Sequence, residues 1–197
     1  AAGLAYHTGR SANSLSAMEN HSKRTDCSLN VPWGRPIFEP KHSSLAVCIC
    51  TFKRPDGLLR LLAGLDGQVF AAVPQPSVCL IVVDNSPTAS AAASCAAHPS
   101  RWPLHYLHEP QPGISHARNT ALAAVPAGTD FIAMIDDDEV PAPDWLDQLL
   151  AAQARSGADV IVGPTAPIFP PATPGWVAAN SLFIKPENQA SLRDLDP

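Results

Sequence analysis

The chain has 197 residues, with 13 Lys and Arg against 18 Asp and Glu for a formal charge of −5, and 46% of its residues are hydrophobic. That balance describes a folded domain, and it excludes binding to nucleic acid through a polycationic face, which needs clustered Lys and Arg. The longest apolar runs, residues 80–83 and 131–135, are strand-sized and far short of the ~20 residues of a membrane-spanning helix. No transmembrane segment is expected, and no basic amphipathic helix argues for docking on a bilayer, although peripheral contact stays open. The five Cys include no C-x-x-C pair and several sit in apolar runs. They read as small buried thiols of a reducing compartment, which places the protein in the cytoplasm, at the inner face of the membrane if it docks there.

In chain order, residues 1–42 are rich in Ser, Asn and His without apolar periodicity and read as a flexible leader. A single domain is expected over 43–197. The chain opens on Ala1 rather than Met and shows no closing element after Leu192, so a fragment truncated at the C-terminus is expected. Residues 45–51 form a strand candidate. The stretch 55–65 is a helix with Pro55 in its first turn and Leu58, Leu61, Leu62 and Leu65 at core spacing. A strand at 78–84, an Ala-rich helix at 88–97, a short strand at 105–108, a helix at 114–124 and a strand at 131–136 follow. Residues 144–155 make the best-defined helix, with Asp144 placed to cap it and Trp145, Leu146, Leu149 and Leu150 in one stripe. Residues 159–163 return as a strand. Apolar strands separated by helices indicate an α/β domain with a mostly parallel sheet flanked by helices. Pro164, Pro167, Pro170, Pro171 and Pro174 then exclude a regular helix or central strand, leaving an exposed loop over a site.

In open α/β sheets the ligand crevice lies beyond the carboxyl ends of the strands, so the residues leaving each strand carry the chemistry. Here they are Thr51-Phe52-Lys53-Arg54, Asp84-Asn85-Ser86-Pro87 and Asp136-Asp137-Asp138-Glu139. Gathered carboxylates repel one another, and a bound divalent cation is the simplest compensation. The hard oxygen donors favour Mg²⁺ or Mn²⁺ over zinc. A solvated acidic turn is the plain alternative for that run, and Asp84-Asn85-Ser86-Pro87 is also a good turn sequence. An EF-hand is excluded, because its fifth and sixth loop positions would fall on Val140 and Pro141. The string from Asp136 to Val140 also fits the D-x-D-x-[TV] of haloacid-dehalogenase-type phosphatases, with Asp136 and Asp138 as the working pair. That family, however, places the string on its first core strand, and here three strand candidates precede it.

Four segments occur together in the order and spacing of family 2 glycosyltransferases: 47–55, 80–86, 113–119 and 135–139. The chain resembles that family over about residues 45–180. Within it, the run from Trp145 to Pro164 and the later Pro174-Gly175-Trp176-Val177 are most similar to bacterial glucosyltransferases of succinoglycan biosynthesis. The resemblance implies the GT-A fold, a Rossmann-like sheet that binds a nucleotide-sugar, most often a UDP-hexose. It implies metal-assisted, inverting transfer to a saccharide or lipid-linked saccharide acceptor in polysaccharide biosynthesis. It also implies that Thr51, Phe52, Arg54, Asp84, Asn85, Gly113, Arg118, Asn119, Asp136 and Asp137 meet the nucleotide-sugar, and that Asp138, with Asp136, holds Mn²⁺ or Mg²⁺. A carboxylate such as Asp84 suits a base imide or ribose hydroxyls, and Arg118 at a helix start suits phosphate. No catalytic base is assigned: Glu187, Asp194 and Asp196 lie in no context similar to the family's acidic pair. A non-catalytic nucleotide-binding remnant is the further alternative.

Overall fold

The computed structural model of the chain describes residues 4–7 and 43–179. One six-stranded sheet, ordered β4-β3-β2-β5-β1-β6, organises them. Its parallel centre consists of β2 (Ser44–Thr51), β3 (Ser77–Asp84), β4 (Leu104–His108) and β5 (Phe131–Asp136). β1 (Leu4–His7) runs antiparallel between β5 and β6 (Val160–Val162). β1 falls inside the stretch read from sequence as a leader without an element; the rest of 1–42 lies outside the described residues.

The two faces of the sheet follow from the two-residue period of a strand. Leu45, Val47 and Ile49 of β2 and Val78, Leu80 and Val82 of β3 point to the larger core. There they meet Leu58, Leu61, Leu62 and Leu65 of α1 (Pro55–Asp66) and Trp145, Leu146, Leu149 and Leu150 of α4 (Trp145–Ser156). Ala46, Cys48, Ile81 and Val83 point the other way, against Ala117 and Ala121 of α3 (Ile114–Ala123). Small alanines let α3 lie close on the sheet, which brings its first turn to the strand ends.

Two expectations are adjusted by contacts that local sequence does not contain. The helix read over 88–97 is reduced to α2 (Ala92–Ala97), because the preceding residues wrap round Asp84. Its carboxylate accepts the amides of Ser86 at 2.8 Å and Ala91 at 2.7 Å, and Ala89 turns through φ 51°. Asp144 stands at the N-cap of α4 but makes no side-chain cap, and its carboxylate takes Gln148 Nε2 at 3.3 Å instead. The cap is supplied from α1's end by the fully buried Gln68, whose Oε1 accepts the Leu146 amide at 2.9 Å while its Nε2 donates to Ala142 O at 2.6 Å. The proline-rich stretch after Gly163 has neither helix nor strand until α5 (Gly175–Ala178).

Asp147 of α4 is buried and accepts amides from Ala71, Ala72 and Val73, with distances of 2.9 to 3.1 Å. Burial pushes its carboxyl up, but the three amides outweigh burial and hold it below its ordinary value of 3.8. Stability from a depressed carboxyl is complete above that value and is lost as pH falls through the folded value. Asp147→Asn is therefore expected to cost about 2 kcal/mol at pH 7, with the gap to the unsubstituted chain narrowing below pH 3.8. Urea denaturation at pH 7 and pH 3 measures this, and a gap independent of pH contradicts it.

Candidate nucleotide-diphosphate site

The strand order reverses between β2 and β5, since β3 and β4 extend one way from β2 and the chain then returns to its other side. A topological switch point of this kind opens a crevice at the carboxyl ends of the strands. Register sets Thr51 beside Asp84 and Cys50 beside Asp136 at that edge. An open cavity of about 470 Å³ lies there, lined by the β2 exit, the start of α3 and the acidic loop after β5.

Within the acidic loop the three aspartates divide by exposure. Asp137 is turned inward, its side chain 7% exposed, while Asp138 at 59% and Asp136 at 56% face outward. Asp137 Oδ2 accepts the Thr51 hydroxyl at 2.8 Å and the Phe52 amide at 3.3 Å, and Oδ1 takes Arg54 Nη1 at 3.1 Å. It is a brace between the β5 and β2 exits. The same Arg54 nitrogen reaches Asp138 Oδ2 at 2.8 Å, and Arg118 Nη2 stands 3.4 Å from Asp136 Oδ1. Asp137 and Asp138 raise the Arg54 guanidinium above its ordinary range, with the Asp137 hydrogen bond as the leading cause.

The loop is held from behind by α1, through two glycines that sequence reading passed over. A Cβ on Gly57 would stand 2.6 Å from the Asp137 carbonyl oxygen, and one on Gly64 2.9 Å from Pro141 Cδ. Seven residues apart, they put one bare stripe of α1 against the acidic loop. A glycine inside a helix pattern costs helix propensity, and that local conflict was the available signal. Lys53, at φ 56°, is a second unforeseen feature; this left-handed residue turns the β2 exit, and its ammonium lies 5.1 Å from the Phe52 ring centre.

Nine of the residues singled out from sequence line the cavity: Thr51, Phe52, Arg54, Asn85, Gly113, Arg118, Asp136, Asp137 and Asp138. Asp84 and Asn119 do not. Asp84 is fully buried, with Ser86, Ala91 and the Tyr106 hydroxyl at 3.2 Å as donors. Burial pushes its carboxyl up, yet those bonds prevail and keep it low. It organises the β3 exit. Asn119 is exposed on α3 away from the cavity. Asn85 reaches the cavity wall, but its side chain serves the neighbouring loop: Nδ2 donates to Glu109 O at 2.8 Å and Gln111 O at 2.7 Å, and Oδ1 accepts the Gly113 amide at 2.9 Å. Gly113, at φ 131°, can then start α3 at the cavity. Cys50, Pro112, Ile114 and Ala117 complete the lining and were not anticipated. Burial is the main cause that pushes the Cys50 thiol up to about 11, so it stays protonated at neutral pH.

Among the described residues no three His, Cys, Asp or Glu side chains converge on a cation position. Asp136 and Asp138 offer two outward hard-oxygen groups two residues apart. That donor set fits Mg²⁺ or Mn²⁺, which take one or two carboxylates and complete their shell with phosphate oxygens and water. Two arginines and the start of a ten-residue helix beside them supply the complementary anion-binding groups.

A switch-point cavity with arginines facing an outward acidic pair defines an open α/β domain with a ligand crevice at the carboxyl ends of its strands. The chain belongs to glycosyl transferase family 2, whose family model matches residues 46–196. It is 34% identical over 134 residues to the succinoglycan biosynthesis protein ExoM of Rhizobium meliloti (strain 1021), covering 66% of this chain and 41% of that protein. It is also 34% identical over 116 residues to the pre-mycofactocin glycosyltransferase of Mycobacterium tuberculosis, covering 59% of this chain and 22% of that protein. A third relative, the succinoglycan biosynthesis protein ExoW of Rhizobium meliloti, is 32% identical over 118 residues, covering 59% of this chain and 36% of that protein. The chain thus spans less than half the length of these relatives. Among solved structures it is similar to S. aureus TarS 1-349 in complex with UDP, with a TM-score of 0.50 and 21% identity over 58% of this chain and 33% of that one. The fold is GT-A, and the D-x-D-x-[TV] string shared with phosphatases lies inside the family match. No helix of the described residues is long and apolar enough to cross a membrane.

Proposed function

We propose that residues 43–197 form the donor-binding domain of a glycosyltransferase that moves a sugar from a nucleoside diphosphate sugar, a UDP-hexose, to a saccharide or lipid-linked saccharide in polysaccharide biosynthesis. The observation that carries this reading is the switch-point cavity in which Arg54, Arg118, Asp136 and Asp138 meet, in a chain of family 2. The relatives named for succinoglycan biosynthesis support the polysaccharide class of product. The TarS structure with UDP supports the choice of nucleotide. The reaction is placed in the cytoplasm, with any membrane contact peripheral.

In this reading Phe52, exposed at the cavity mouth, gives the base a ring face to lie on. Arg118 and the first turn of α3 bind the diphosphate oxygens, and Arg54 adds a second guanidinium. Departure of the sugar leaves negative charge on the diphosphate, and these preoriented donors oppose that charge without reorganising. Asp136 and Asp138 would hold a divalent cation, Mn²⁺ or Mg²⁺, which supplies Lewis-acid stabilisation of the leaving group. Inverting transfer also needs a carboxylate that removes the acceptor hydroxyl's proton. Glu187, Asp194 and Asp196 lie outside the described residues, and that role is assigned to none of them.

Titration calorimetry of the full chain with UDP, with and without Mn²⁺, tests the reading. Affinity that is weak without the cation and rises steeply with it is expected. Equal affinity in both conditions, or none in either, overturns it.

A further inference from the structure

We propose that Arg54 is a resident counter-cation of the acidic loop, whose release to the nucleotide makes the divalent cation and the nucleoside diphosphate bind as a pair. The inference rests on the donor-site reading above and goes beyond it. One nitrogen, Arg54 Nη1, spans Asp137 Oδ1 at 3.1 Å and Asp138 Oδ2 at 2.8 Å, so a positive charge already stands beside an outward cation ligand. A divalent cation arriving alone must share Asp138 with that guanidinium. It also finds only two outward carboxylates, since no third His, Cys, Asp or Glu converges there among the described residues. A diphosphate changes both conditions. Its oxygens complete the cation's shell, and they offer Arg54 a partner of higher charge than a carboxylate.

The two contacts of Arg54 differ in strength, and that difference makes the exchange feasible. The pair with Asp138 is exposed on both sides, a class of ion pair that contributes little and is given up easily. The pair with Asp137 reaches a buried carboxylate that is itself fixed by Thr51 and Phe52. Arg54 therefore keeps its place at the cavity wall while its outer contact passes from Asp138 to phosphate.

By linkage, the factor by which UDP tightens Mn²⁺ equals the factor by which Mn²⁺ tightens UDP. Mn²⁺ binding followed by electron paramagnetic resonance, with and without UDP, measures that factor on the full chain. A coupling of about tenfold or more is expected for the unsubstituted protein, falling to about threefold or less in Arg54→Gln. Mn²⁺ alone is expected to bind Arg54→Gln several-fold more tightly. Arg54→Lys, which keeps the charge, is expected to retain more coupling than Arg54→Gln. Undiminished coupling in Arg54→Gln, or equal losses in the Gln and Lys variants, overturns the counter-cation role and leaves the donor site standing. UDP that fails to bind the unsubstituted chain at any Mn²⁺ concentration overturns both.

Discussion

Asp138→Ala is expected to bind UDP with the same affinity whether Mn²⁺ is present or not. The side chain is exposed and its contact among the described residues is an exposed ion pair with Arg54, so folding stability should stay within about 0.5 kcal/mol of the parent. Affinity is another matter, because Asp136 alone leaves a cation with a single carboxylate from this loop. A loss of about 100-fold in UDP affinity at saturating Mn²⁺ is expected, ~2.7 kcal/mol in binding free energy. Without metal the variant and the parent should bind UDP about equally weakly. Calorimetry in both conditions gives all four affinities. A variant that keeps its metal-dependent increment would move the cation away from Asp138, and with it the division of the three aspartates into outward ligands and an inward brace.

Asp137→Ala should behave in the opposite way, losing stability first. Its removal leaves the Thr51 hydroxyl and the Phe52 amide without their acceptor in a buried place and frees Arg54 on one side. Breaking a buried, hydrogen-bonded carboxylate of this kind costs about 3 kcal/mol, a fall in Tm of roughly 6–12 °C for a domain of this size. Asp137→Asn separates the terms. Its amide oxygen can still accept from Thr51 and Phe52, but its NH₂ then faces the Arg54 donor, so about half the loss is expected to return. Thermal unfolding of the two variants checks the order, and a destabilisation below about 1 kcal/mol for Asp137→Ala would contradict the brace. The brace also sets the outward pair: with Asp137 turned inward, its neighbours on either side are turned toward the cavity. The D-x-D spacing is in this sense a consequence of where the middle residue is anchored.

α1 connects these effects to the rest of the domain. Its Leu stripe faces the large core, its glycine stripe admits the acidic loop, and Gln68 beyond its end caps α4 and takes hold of Ala142. The acidic loop is therefore gripped at both ends by groups outside it: Thr51 and Arg54 at Asp137, Gln68 at Ala142.

Much of this domain was legible in the sequence. The parallel strands of the centre announce themselves as apolar runs, because a strand covered on both faces has no solvent side to be polar on. Strand exits are readable for the same reason, since polarity returns abruptly at Thr51, Asp84 and Asp136. Residue chemistry at the Asp136 exit pointed to a cation, and the family resemblance added the nucleotide-sugar. Tertiary structure alone decided which carboxylate is enclosed and which faces the cavity. Asp84 and Asp136 look alike as strand-ending aspartates, yet Asp84 is enclosed by Ser86, Ala91 and Tyr106 while Asp136 stands open to the cavity. The partners that settle this come from distant parts of the chain, as Thr51 does for Asp137 and Gln68 for α4. No local period records them, because hydrogen bonds between loops depend on where the sheet and helices have already carried the backbone.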